Sequence, residues 1–191
     1  MKEHLFDDSD MKIVGTADHC ADTFDTISFL EESRKQHFNG NLQKARTLGS
    51  AIVSAFSYKA APDEQVLLAQ KCGVQLDDTA VLQMKQLTVF AAEYSLEKFI
   101  HTSLSSVAIS AMYDVLQAVS PELYKAMSSS MAFSYYHLCL REKGDLATNI
   151  GKRFAALCGK KGDAALIDFG RQLFEVNTEV FRRAVEGYAF V

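Results

Sequence analysis

Residues 74–143 contain no glycine and one proline, Pro121. The only other proline in the chain is Pro62, and tryptophan is absent. Glycine and proline break helices most readily, glycine through backbone entropy and proline through its missing N–H. A long stretch without them, with apolar residues recurring every three or four positions, reads as consecutive α-helices. Met11-Lys12-Ile13-Val14 is the sole segment that reads as a strand, and a lone strand has nothing to pair with. The expected fold class is therefore all-α.

Punctuation divides the chain into about seven or eight helices. A first helix is expected from about Asp22 to His37, with Phe24, Ile27 and Leu30 on one face. Asn39-Gly40 breaks it, and Asn41 caps a second helix carrying Leu42, Ala45, Leu48, Ile52, Val53 and Phe56. Pro62 opens a short third helix, which Cys72-Gly73 closes. Asp77 caps the next, with Leu76 placed to staple onto Val81. The region from Asp78 to Val119 is one helix or two, and the Ser/Thr cluster at Thr102–Ser106 favours a break there. Ser120-Pro121-Glu122 restarts a helix expected to run to Lys143. Asp145 and Asp163 cap the last two, separated by the turn Gly159-Lys160-Lys161-Gly162.

Two helices stand out by pattern. From Ala80 to Ile100, apolar residues spread almost around the whole circle at 100° per residue. Such a helix is buried on most sides, here with a narrow polar strip of Gln83, Gln86, Glu93, Glu97 and His101. In the last helix, Leu166, Leu173 and Val180 repeat every seven residues beside Ile167, Phe174, Phe181 and Tyr188. The 191 residues, 48% apolar and 23% charged, are enough for one domain with its own core. The expectation is a single-domain helical bundle over residues 1–191, with a largely buried central helix and a loose segment at 1–15.

Charge and motifs exclude more than they assign. The net charge of -4 and the lack of a basic stripe argue against a nucleic-acid partner. Leu68 to Val74 has the look of the first helix and turn of a helix-turn-helix, but Asp77-Asp78 would then face phosphates. Apolar runs are too short and interrupted for a membrane span. The acidic start has no signal-peptide pattern, and the four cysteines, Cys20, Cys72, Cys139 and Cys158, have no paired spacing. A reduced, cytoplasmic protein without cofactor is the expectation. Walker, dinucleotide-binding, nucleophile-elbow and His-Glu-x-x-His patterns are all absent.

Several clusters remain as candidate sites. Glu93, Glu97 and His101 share a helix face at i, i+4, i+8, the kind of face that supplies carboxylate and imidazole ligands inside bundles. The chain lacks Glu-x-x-His, so the di-iron template does not fit, and the solvated edge of a buried helix is the simpler reading. Tyr135, Tyr136 and His137, with Cys139 and Arg141, form a second group able to bind an anion or shuttle a proton, against the simpler reading of packed tyrosine rings and a buried cysteine. Met112, Met127 and Met131, near the serine-rich segments 103–110 and 128–130, are placed to line a cavity for an apolar ligand.

Leu173, Asn177, Val180, Phe181 and Tyr188 mark a face suited to an interface, with Asn177 able to set its register. The leading expectation is a non-catalytic helical interaction module that forms a homo-oligomer, a dimer, or binds a protein partner. The alternative is a small-molecule sensor. An enzyme or metal protein comes last, since no catalytic motif supports it.

Overall fold

The structure, a computed structural model, describes residues 28, 30–32, 34–54, 63–129 and 131–190. Within them the fold is all-α, with nine helices and no strand. They are α1, whose described part ends at residue 38, then α2 (Asn41–Ser54), α3 (Asp63–Lys71), α4 (Asp78–Phe99) and α5 (Thr102–Val119). There follow α6 (Pro121–Ser129), α7 (Met131–Cys139), α8 (Leu146–Leu157) and α9 (Ala164–Glu186). Met11–Val14, Cys20, Phe24, Ile27, Phe56, Pro62 and the segment 1–15, expected to be loose, lie outside the described residues.

Local chemistry sets most boundaries. Asp77 accepts from the Ala80 amide at 2.8 Å, Asp145 from Thr148 at 2.8 Å and Asp163 from Leu166 at 3.0 Å. Each satisfies one N–H that the first helical turn leaves without a partner. Gly73, at φ 72°, ends α3 in the left-handed region, where a Cβ would be strained. That turn brings the Val74 amide onto the Ala69 carbonyl at 2.8 Å. Asn41, expected as a cap, is instead a buried first residue of α2 whose side-chain amide donates to Gln36 Oε1 at 2.5 Å.

Two boundaries differ from expectation. The break between α4 and α5 falls at Ile100–His101, just before the Ser/Thr cluster, because His101 itself supplies the cap. The helix expected from Pro121 to Lys143 is two, α6 and α7, and ends at Cys139. The junction lies at the serine run, and the chain turns at residues 140–144.

The central helix is α4, which touches α5, α6, α7, α8 and α9. Met84, Leu87, Phe90, Ala91, Ala92 and Leu96 have essentially no exposed surface. The polar strip is only partly solvated, since Gln83 and Gln86 are buried too. Along α9, Leu166, Leu173, Phe174 and Phe181 are buried against the chain's own core. Asn177 is buried with them and donates to Thr88 Oγ1 on α4 at 3.1 Å. Thr88 in turn donates to the Met84 carbonyl at 2.9 Å, so Asn177 sets register between α9 and α4 within the molecule. Of the residues expected on an interface face, Val180 is half exposed and Tyr188 partly buried, while Leu173, Asn177 and Phe181 are covered within the chain.

Candidate functional site

Glu93 sits on α4 one turn after Phe90, with its side chain only 13% exposed. Two helices deliver partners to it. Tyr113, from α5, donates its hydroxyl to Glu93 Oε2. His137, from α7, brings Nε2 to 3.6 Å from Glu93 Oε1. The His137 ring is held edge-on by Phe90 and Phe133, at centroid distances of 5.1 and 5.0 Å.

Burial pushes the Glu93 carboxyl above its usual range. The Tyr113 hydroxyl and His137 pull it back down, and the charge of Glu97 adds to the rise. The Tyr113 hydroxyl is pushed well above the ordinary phenol range, first by burial and then by the Glu93 charge it faces. The phenol therefore stays protonated and serves Glu93 as a donor. This arrangement ties α4, α5 and α7 together through the Tyr113–Glu93 hydrogen bond and the His137–Glu93 contact.

The structure thus joins residues that the sequence presents as two separate groups. Glu93 and His137 come together, while Glu97 is exposed and His101 is not on the α4 face at all. His101 Nδ1 lies 3.4 Å from the Ser103 amide as the α5 cap and 3.0 Å from Ser103 Oγ. The i+8 spacing fails because the helix ends at Phe99. Among the described residues no three His, Cys, Asp or Glu side chains converge where they could hold a metal ion.

Arg141 does not share a helix face with His137, because α7 ends at Cys139 and Arg141 lies exposed in the following turn. Tyr135 is on the outer side of α7, with the Arg153 guanidinium 5.9 Å from its ring centre. Tyr113 is the residue that sequence reasoning missed. Nothing local marks it, since its role depends on where α5 crosses α4.

Tyr113 also walls a cleft of about 450 Å³ between α5, α6 and α7. Ser110 and Asp114 line it from α5, Tyr124, Met127 and Ser128 from α6, and Phe133 from α7. Tyr113 and Tyr124 meet edge to face with centroids 6.3 Å apart. Of the three methionines expected around a cavity, Met127 lines this cleft, Met112 is sealed in the core and Met131 is 74% exposed. A neighbouring groove of about 520 Å³ between α2 and α5 shares Ser110 and Asp114 and carries Arg46 on its other side. No described helix is long and apolar enough to cross a membrane. Compared with protein-family models, curated proteins and solved structures, the chain matches none.

Proposed function

We propose that this protein is a non-catalytic helical bundle that binds a small molecule in the cleft between α5, α6 and α7. The observation that supports this reading is the cleft itself. Its volume of about 450 Å³ falls within the roughly 300–1,000 Å³ of small-molecule pockets. Aromatic and methionine walls combine there with a few polar groups, and the Glu93–Tyr113 hydrogen bond fixes one wall in place. Ligand occupancy would then reach α4 and α7 through Glu93 and His137, which suits a sensor. The three described cysteines are free thiols, in keeping with a reducing, cytoplasmic setting.

The test is protein-observed NMR with a set of chemically diverse fragments. Shift changes are expected at Ser110, Tyr113, Tyr124, Met127 and Phe133, and Ser110→Trp, which fills the cleft, is expected to abolish them. Shifts scattered over the surface, or unchanged in Ser110→Trp, would overturn the reading.

A second reading, self-association or protein docking, has its own support. Met131, Tyr135 and Leu138 lie at i, i+4, i+7 on α7 and are 74%, 37% and 47% exposed. Sedimentation velocity across micromolar concentrations tests the homo-oligomer. A monomer throughout, unaffected by Leu138→Asp, would remove it.

A further inference from the structure

We infer that the ligand of the α5–α6–α7 cleft is a small organic cation of the methylated-ammonium type. The inference rests on the ligand-binding reading and adds the chemical class. Three aromatic rings from three different helices, Tyr113, Tyr124 and Phe133, line one cleft. An aromatic face carries negative quadrupole density and attracts a cation, and several rings around one volume form a cage for alkylated ammonium groups. Tyr113 has its hydroxyl engaged by Glu93, so what it offers the cleft is its ring.

Charge points the same way. Asp114 lines the cleft, and none of the lining residues is basic. Arg46 lies across the neighbouring groove. A bare metal ion fits poorly, because calcium or magnesium needs about six oxygen ligands and the lining side chains supply one carboxylate, two serine hydroxyls and two phenols, one of them engaged by Glu93. A cation whose charge is spread over methyl groups needs no such shell. It is stabilised by ring faces, by the soft thioether of Met127 and by one counter-ion at the rim.

The experiment titrates tetramethylammonium, choline and 3,3-dimethylbutan-1-ol, the neutral carbon isostere of choline, into isotope-labelled protein. Choline and tetramethylammonium are expected to move the amides of Ser110, Asp114, Tyr124 and Phe133. The neutral isostere is expected to bind about tenfold more weakly. Asp114→Asn and Tyr124→Leu are each expected to weaken choline about fivefold, and added salt to weaken it in the wild type but little in Asp114→Asn. A short peptide carrying trimethyl-lysine is the remaining arm: tighter binding than tetramethylammonium places the cation on a polypeptide, equal binding on a free molecule.

Equal affinity for choline and its isostere overturns the cation inference and leaves the ligand-binding reading standing. So does silence from the cations while the diverse fragments still move the cleft. Silence from every probe overturns both.

Discussion

Replacing Gly49 by alanine tests the close approach of α2 to α5. In an exposed helix the change is favourable, by roughly 1 kcal/mol, because glycine is the poorer helix former. Here a Cβ on Gly49 would lie 2.0 Å from the Ala108 carbonyl oxygen, 2.9 Å from its carbon and 3.1 Å from its Cα. All three are backbone atoms of α5, so no side chain can rotate out of the way. Reaching ordinary contact near 3.4 Å needs the two helices to part locally by about 1.4 Å. Overpacking of this kind costs about 1–3 kcal/mol. A gap of this size also forfeits about half of the dispersion between the atoms it separates. Ala45, Leu48, Ile52 and Val53, buried along the same seam, would lose part of their packing, about 1–2 kcal/mol.

After the gain in propensity, the net loss is about 1–4 kcal/mol, or a fall in Tm of about 2–16 °C for a chain of this size. Urea denaturation followed by circular dichroism measures it, with Ser50→Ala, at the next residue, as a control expected to change little. Ala108→Gly is not expected to rescue the variant, since the obstructing atom is a carbonyl oxygen that glycine also carries. A Gly49→Ala protein as stable as the wild type would refute the reasoning.

Other predictions follow from single groups. The folded Glu93 carboxyl titrates above its ordinary value of 4.5, so the native state holds that proton more tightly than the unfolded chain. Its contribution to stability is fully present below the unfolded value and declines as pH rises through the folded one. Glu93→Gln, which keeps an acceptor for Tyr113, should flatten that decline in urea midpoints measured from about pH 4 to pH 7, and an unchanged slope would contradict the raised carboxyl. The Cys158 thiol is pushed up to about 12, mainly by burial and then by the charge of Asp77, against an ordinary 9.0. Its thiolate fraction at pH 8 is then about a thousandfold below that of a free thiol, so iodoacetamide should label it slowly until the protein is unfolded. Fast labelling in the folded state would count against this burial. Asp77→Ala removes the acceptor for the Ala80 amide and should cost about 1 kcal/mol, read as a lower urea midpoint. No change there would mean that α4 does not depend on its cap.

Some of this architecture is written locally. Asp77, Asp145 and Asp163 cap helices because a short acidic side chain reaches an amide three residues on, whatever the rest of the chain does. The burial of α4 is equally legible, since a helix apolar nearly all round must be covered. The serine run at 128–130 is less so. Serine is tolerated within a helix, and its side chain can bond back to the chain, as Ser128 does to the Tyr124 carbonyl at 2.9 Å.

The candidate site lies at the other extreme. Glu93, Tyr113 and His137 are on three helices, and helical spacing relates only residues on the same helix. The heptad stripe of α9 shows a face that must be covered, but the pattern is identical whether another molecule or the chain's own α4 covers it. The sequence by itself determined the all-helical class, the caps and which faces seek burial, because these follow from interactions within a few residues. Only the tertiary structure decided that α9 lies against α4, that Asn177 bonds to Thr88, and that a tyrosine and a histidine from different helices close on Glu93. Those outcomes depend on how helices cross and pack, which is fixed by the shape complementarity of whole faces and not by any local signal.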